Sequence, residues 1–163
     1  MTLHVGARGT TLLLELDRPD ARNAIDRPTA EGIANAVKEA ARNPAMRAVV
    51  LAGRGPIFAA GGDLKALAKL PMSRQGAESV LALGTLLETL ETSPLPAIAA
   101  LTGDAFGGGC ELLLLCDLIV AEPHARMRFV HGKMGLVPAW GGATRLTERV
   151  GAARAARLLL GGD

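Results

Sequence analysis

Two glycine-rich turns carry the residue types with the clearest chemical use. The first runs from Phe58 to Lys65 (FAAGGDLK) and the second from Gly103 to Glu111 (GDAFGGGCE). Glycine lets a ligand oxygen approach the main chain, and the free N–H groups at the start of a helix carry partial positive charge. Together the turns could supply two donors to an oxygen that gains negative charge. Taken singly, either turn would more simply be a tight connection between a strand and a helix.

Glu111 is the acidic residue best placed to act with these turns. It follows Gly108 by three residues, in the first turn of the helix that the glycines begin, and Leu112–Leu115 after it are all apolar. A glutamate in a first helical turn is ordinarily solvated and favoured by the helix dipole. The apolar run indicates instead a buried carboxylate, which could act as a general base.

Other catalytic and binding motifs lack support. The sequence contains no G-x-x-x-x-G-K-[ST] phosphate loop, no G-x-G-x-x-G and no G-x-S-x-G nucleophile elbow. Cys110 and Cys116 have no matched His/Cys pair, so we predict no metal site and expect two buried thiols of a reducing compartment.

Three segments together resemble the crotonase (enoyl-CoA hydratase/isomerase) superfamily in order, spacing and residue type. They are AAGGDLK from Ala59, GDAFGGGCELLLLCD from Gly103 and GLVPAWGGATRL from Gly135, and the early segment Arg18–Ala24 matches as well. The resemblance implies an α/β, crotonase-like (ClpP/crotonase) fold, in which repeated β-β-α units form a spiral of mainly parallel sheet with flanking helices. It also implies a homo-oligomer, a trimer or hexamer, and a single core domain over residues 1–163 without the family's C-terminal helical region.

The resemblance also assigns roles to positions of this chain. Gly62 and Gly108 would give the two oxyanion donors, and Glu111 would be the base for the water that adds to the β-carbon. His131 stands where hydratases have a second glutamate, so it could exchange the α-carbon proton or merely pack in the pocket wall. The residues expected to bind the acyl-CoA are Arg22, Ala24, Ala60, Gly61, Gly62, Asp63, Leu64, Lys65, Gly108 and Trp140.

Two of these binding assignments have simpler alternatives. Arg22 and Lys65 would meet the phosphates of CoA, or else form part of a solvated surface. Trp140 would form a wall of the acyl pocket, although an aromatic residue in a loop rich in proline and glycine is more often simple packing.

The expected activity is of the enoyl-CoA hydratase/isomerase type, meaning water addition to an enoyl-CoA or a shift of its double bond. The segment Arg128–Gly142 also resembles ethylmalonyl-CoA decarboxylases, whose reaction forms the enolate by loss of CO2 and needs no obligatory base. An alkylmalonyl-CoA decarboxylase is therefore an alternative. A non-catalytic acyl-CoA-binding or oligomerisation fragment is a third possibility, of another class. We expect no cofactor beyond the CoA thioester.

The elements that must position these residues alternate between strands and helices. Apolar runs predict strands at 10–16, 47–52, 97–101 and 117–121, and apolar residues at helical spacing predict helices at 26–42, 79–92, 107–116 and twice within 141–160. This alternation is typical of crossover units that build a parallel sheet.

The bulk composition fits one soluble globular domain. The chain has 163 residues, 49% of them hydrophobic, and its net charge of +2 is too balanced to predict nucleic-acid binding. The N-terminus lacks the features of a signal peptide, and no apolar run approaches the roughly 20 residues that span a bilayer. We therefore expect a cytoplasmic protein with no membrane partner.

Overall fold

The chain begins with an antiparallel hairpin and continues as alternating strands and helices. The computed structural model describes residues 2–162. Its elements in chain order are β1 (Leu3–Arg8), β2 (Thr11–Leu16), α1 (Arg27–Arg42), β3 (Ala48–Gly53), β4 (Ile57–Ala59), α2 (Leu64–Leu67), α3 (Arg74–Leu87), β5 (Ala97–Leu101), β6 (Asp104–Phe106), α4 (Gly108–Leu114), β7 (Leu118–Ala121), β8 (Met127–Arg128), α5 (Gly142–Val150) and α6 (Ala152–Gly161), with short 3-10 helices at Pro19–Ala21 and Gly132–Met134.

Two sheets grow side by side as the chain winds. The larger sheet has the strand order β1-β2-β3-β5-β7, in which only the β1–β2 pair is antiparallel. The smaller sheet has the order β4-β6-β8, and its strands are parallel. After the hairpin, each turn of the chain adds one strand to the larger sheet and then one to the smaller. The predicted spiral of mainly parallel sheet with flanking helices is therefore confirmed.

The core lies where the larger sheet meets its helices, and it is built mainly from aliphatic side chains. Alternate residues of β2, β3 and β5 point into it: Leu12, Leu14, Leu16, Val49, Leu51, Ala97, Ala99 and Leu101. Each leucine or valine removed from water in this way stabilises the fold by about 1.5–3 kcal/mol. Helix α1 packs its buried face against β1, β2 and α3.

Helix α1 starts where the sequence predicts. The Asp26 carboxylate accepts a hydrogen bond from the Thr29 N–H at 3.0 Å, and proline occupies an early helical position where no N–H is needed. Ile33, Val37 and Ala40 are buried at helical spacing, so the predicted N-cap and apolar face are both confirmed.

The leucine-rich helix is displaced from its prediction. It was expected at 79–92, but α3 spans Arg74–Leu87, because the Ser73 hydroxyl caps it by accepting from the Gly76 N–H at 3.4 Å. The leucine repeat marks the buried face of this segment correctly, since Leu83, Leu87 and Leu90 are all buried. It does not mark the ends, because turns after Leu87 continue the same buried face.

Some strands have no counterpart in the sequence prediction. In β1 only Leu3 is buried, so the strand has no alternating apolar pattern. The strands β4 and β6 each have three residues, too few to show a period, and both lie inside the glycine-rich segments. Among the helices described, none has the length and hydrophobicity required to cross a bilayer.

Candidate active site

The two glycine-rich loops meet in space. Gly62 follows β4, and Gly108 is the first residue of α4. A Cβ atom built on Gly61 would lie 2.8 Å from the main-chain nitrogen of Gly108, and Gly61 has a φ of +97°. Only glycine meets both demands without strain. Gly61 is buried and serves the close approach of the two loops, so the sequence prediction that these loops act together is supported by their contact.

Among the described residues, the N–H groups of Gly62 and Gly108 at this junction are free, whereas those of Ala60 and Asp63 are hydrogen-bonded. The Ala60 N–H donates to the Arg22 carbonyl at 3.0 Å, and the Asp63 N–H donates to the Ile25 carbonyl at 2.9 Å. Within residues 2–162, neither the Gly62 N–H nor the Gly108 N–H donates to any acceptor, and both glycines are half-buried. Two free, adjacent N–H groups can stabilise an oxygen that gains negative charge in a transition state.

Glu111 is buried and held by three contacts. Its side chain lies on α4, one helical turn beyond Gly108, and the residue is 2% exposed. Its Oε2 atom accepts hydrogen bonds from the Trp140 N–H at 2.8 Å and the Gly142 N–H at 2.9 Å, and its Oε1 atom lies 3.1 Å from His131 Nε2. The predicted burial of this carboxylate is confirmed, and its position is fixed by the loop that precedes α5.

His131 stands between Glu111 and the second glycine loop. The residue is 8% exposed, and a Cβ atom on Gly107 would lie 3.7 Å from its Nε2 atom. Its Nδ1 atom is buried and has no hydrogen-bond partner among the described residues. The site therefore pairs one carboxylate with one imidazole that has an unused polar atom.

Trp140 packs against the glycines that bear the free donors. Its residue is 4% exposed, and a Cβ atom on Gly108 would lie 2.6 Å from the indole Cζ3 atom. A Cβ atom on Gly62 would lie 3.5 Å from Cζ2 of the same ring. The indole Nε1 atom is buried without a partner among the described residues. The ring is thus in contact with both halves of the donor pair.

The loop that holds Trp140 is anchored from outside the site by Arg145. Arg145 Nη1 donates to the Trp140 carbonyl at 2.7 Å, while its Nε and Nη2 atoms bind the carboxylate of Glu91. The pKa of Glu91 is lowered, chiefly by the hydrogen bond from Arg145. No role for Arg145 is predicted from the sequence, because its position three residues after Gly142 does not indicate this contact.

A groove of about 680 Å³ opens beside the first glycine loop. It contains most of the residues predicted to bind the CoA part of a substrate: Arg22, Ala24, Ala60, Gly62, Asp63, Leu64 and Lys65. Arg22 and Lys65 are both exposed there. Of the other predicted binding residues, Gly61, Gly108 and Trp140 are not part of the groove lining, and the last two lie at the donor pair instead.

Arg18 links the walls of this groove through its guanidinium. No role for this residue is predicted from the sequence. Its Nη2 atom donates to Asp63 Oδ2 at 2.9 Å, and its Nη1 atom donates to the Ala24 carbonyl at 2.9 Å and lies 3.1 Å from Asp26 Oδ2. The pKa of Asp63 is lowered by the hydrogen bond from the Ala66 N–H and then by Arg18. Arg18 stands in a segment that was noted only for its family resemblance, and no periodic pattern marks its contacts.

A family model described as "Enoyl-CoA hydratase/isomerase" matches residues 7–163, nearly the whole length of this chain. The chain belongs to the enoyl-CoA hydratase/isomerase family. A probable enoyl-CoA hydratase of Mycobacterium leprae is 37% identical over 150 residues, which cover 92% of this chain and 57% of that protein. The chain thus spans little more than half the length of this relative.

Two further comparisons agree with the family assignment. The crystal structure of an enoyl-CoA hydratase from Polaromonas sp. JS666 superposes with a TM-score of 0.92 at 34% identity, covering 99% of this chain and 63% of that one. A protein of Gallus gallus named ethylmalonyl-CoA decarboxylase is 39% identical over 113 residues, which cover 69% of this chain and 38% of that protein. Both reactions considered from the sequence therefore occur among the names of similar proteins.

The cysteines and potential metal ligands lie apart from this chemistry. Burial raises the pKa of Cys110 and of Cys116 to about 12, so both thiols are protonated at neutral pH. Within residues 2–162, no three histidine, cysteine or acidic side chains gather as a metal site would require.

Proposed function

We propose that the protein adds water to the double bond of a 2-enoyl-CoA thioester. One observation carries the proposal: the free N–H groups of Gly62 and Gly108 lie beside a buried pair formed by Glu111 and His131. The thioester carbonyl oxygen would sit between the two N–H groups, where the negative charge that develops during addition is stabilised. Removing one donor from such a hole typically raises the barrier by about 3–4 kcal/mol.

Glu111 is the general base of the proposed reaction. Its Oε1 atom takes a proton from water as the water oxygen bonds to the β-carbon. The electron pair of the C=C bond forms a double bond between the α-carbon and the carbonyl carbon, and the carbonyl π pair moves to the oxygen to give the enolate. The hydrogen bonds from the Trp140 and Gly142 N–H groups occupy Oε2, so Oε1 is the oxygen left to meet water. The contact with His131 at 3.1 Å orients that same oxygen.

His131 completes the addition by giving a proton to the α-carbon. Its Nδ1 atom has no partner among the described residues and is the nitrogen available for this transfer. The step starts from the imidazolium, with Nε2–H directed at Glu111 Oε1 and the second proton on Nδ1, and it leaves a neutral imidazole. Collapse of the enolate then yields the 3-hydroxyacyl thioester, and both side chains regain their starting protonation by exchange with solvent after product release. A double-bond shift uses the same groups, with the proton moving between two carbons and no water added.

The groove beside the first glycine loop would hold the CoA. Arg22 and Lys65 are exposed cations of its lining and suit the CoA phosphates, and Ala24, Ala60 and the exposed Leu64 line the same groove. The reaction as written uses no cofactor beyond the CoA thioester. From the family resemblance we also propose a cytoplasmic homo-oligomer, a trimer or hexamer, which light scattering of the purified protein tests.

Glu111 favours hydration over decarboxylation of an alkylmalonyl-CoA. Loss of CO2 produces the enolate directly, so it needs the donor pair and a proton source but no base. The Glu111 Oε2 atom would still hold the Trp140 loop, but its Oε1 atom, directed at His131 in the site, would then have no chemical task. The same argument disfavours a non-catalytic acyl-CoA-binding fragment.

Mass spectrometry of reactions with crotonyl-CoA and ethylmalonyl-CoA in parallel tests the proposal. We expect crotonyl-CoA to gain the mass of one water and ethylmalonyl-CoA to remain unchanged. Loss of CO2 from ethylmalonyl-CoA without hydration of crotonyl-CoA would overturn hydration as the activity and make His131 the first residue to replace.

A further inference from the structure

We propose that Trp140 limits the acyl group of the substrate to a short chain such as crotonyl. The inference rests on the proposed function, because it concerns the acyl side of the same site. It names a residue that selects the substrate, whereas the hydration mechanism uses only the donor pair, Glu111 and His131.

The indole of Trp140 lies at the donor pair. Its six-membered ring lies against both donor glycines: Cβ atoms built there would approach it to 2.6 Å at Gly108 and 3.5 Å at Gly62. A thioester whose oxygen is bound by these two N–H groups must send its acyl carbons away from the CoA groove, past residues that adjoin the glycines. The indole ring contacts both glycines, so the first acyl carbons would pass beside it.

Trp140 is held in place from several directions. The Trp140 N–H donates to Glu111 Oε2 and the Trp140 carbonyl accepts from Arg145, so the main chain of the loop is hydrogen-bonded on both sides of this residue. On another side a Cβ atom on Gly84 of α3 would lie 3.1 Å from the indole Cδ1 atom. The two hydrogen bonds fix the main chain of Trp140, and packing against Gly84, Gly108 and Gly62 leaves the buried ring little room to turn aside.

An indole in this position affects short and long acyl chains differently. A short chain gains an apolar aromatic surface beside its double bond, whereas a long chain must displace a side chain that is almost fully buried. Each methylene that a rigid pocket cannot accept reduces kcat/KM by about tenfold or more. We therefore expect kcat/KM to fall by at least about tenfold from crotonyl-CoA to 2-decenoyl-CoA.

Tryptophan fluorescence tests the acyl contact without any turnover. Trp140 is the sole tryptophan and the chain contains no tyrosine, so emission excited at 295 nm reports on this ring alone. Saturated butyryl-CoA should change the emission, CoA without an acyl group should not, and decanoyl-CoA should bind at least about tenfold more weakly than butyryl-CoA. An equal response to CoA and butyryl-CoA, or equal affinity for both acyl chains, would overturn the inference.

Substitutions separate size selection from stability. Trp140→Ala should raise the ratio of kcat/KM for 2-decenoyl-CoA over crotonyl-CoA by at least about tenfold, and Trp140→Phe, which keeps a buried ring, should raise it less. Leu51→Ala on β3 is the matched control, because it also opens a cavity in the core but lies outside the site and should leave the ratio unchanged. An unchanged ratio in both Trp140 variants refutes the size limit. Failure of the wild type to hydrate any enoyl-CoA refutes the proposed function instead, and the fluorescence titration still decides the acyl contact.

Discussion

Replacing Glu111 in two ways separates its chemical task from its structural one. The carboxylate accepts from the N–H groups of Trp140 and Gly142 through one oxygen and faces His131 with the other. Glu111→Gln keeps the shape and one carbonyl oxygen, so both N–H groups retain an acceptor while the proposed base is lost. Glu111→Ala removes the acceptor and the base together.

The magnitudes follow from the contacts. In Glu111→Ala two buried N–H groups lose their partner, at about 1–3 kcal/mol each, so the free energy of unfolding should fall by about 2–6 kcal/mol. For a domain of this size that corresponds to a decrease in Tm of about 5–20 °C. Glu111→Gln should stay within about 1 kcal/mol of wild type, because its amide oxygen replaces the acceptor. Loss of the general base should lower kcat by about 10²–10⁴-fold in both variants.

Thermal and urea unfolding with a hydratase assay on crotonyl-CoA measure all of these quantities. Two results would refute the reasoning in different places. A Glu111→Ala protein as stable as wild type would show that the carboxylate does not satisfy the loop donors. A Glu111→Gln protein that hydrates crotonyl-CoA at the wild-type rate would show that the carboxylate is not the base.

Three further outcomes follow from the site and its surroundings. Gly61→Ala should lower kcat at least about 100-fold by pushing apart the donor loops. Gly55 also has a positive φ, but a Cβ atom there would have no atom within 4 Å, so Gly55→Ala should lose stability only. Equal activities of the two variants would contradict this prediction. Because the pKa of Asp63 is lowered from 3.8, the urea midpoint of wild type should exceed that of Asp63→Asn at pH 7. The difference between the two midpoints should close as pH falls through the lowered pKa. A difference that stays constant with pH would show that the charge of Asp63 does not stabilise the fold. Cys110 and Cys116 should resist iodoacetamide at pH 8 until urea unfolds the chain, as mass spectrometry would show, since burial raises the pKa of each to about 12.

The sequence predicts the parts of the fold and site that depend on local pattern. Short apolar runs locate β2, β3, β5 and β7 of the larger sheet, and an aspartate before an apolar helical face locates the start of α1. The apolar run after Glu111 predicts its burial because a helix packed on all sides leaves no solvated face. Such patterns report which face of a segment is buried, and these predictions required no more.

The remaining features depend on which distant segments meet. Arg18 reaches Asp63 across 45 residues, and the Trp140 N–H reaches Glu111 across 29. No periodicity encodes such contacts, because each is set by the winding of the main chain and not by its local apolar face. The same limit explains why the family resemblance could name Gly62, Gly108 and Trp140 as site residues, whereas the contact of the indole with both glycines is visible only in the structure.

The order in which the spiral is wound has a consequence for the kinetics of refolding. The groove and first donor come from early turns, the second donor and Glu111 come from α4, and the loop that fixes Glu111 arrives only with the start of α5. Most of the larger sheet can pair before that loop docks, since neighbouring strands in it follow one another along the chain. Far-ultraviolet circular dichroism should therefore recover ahead of catalytic activity, which also needs this loop in place against Glu111.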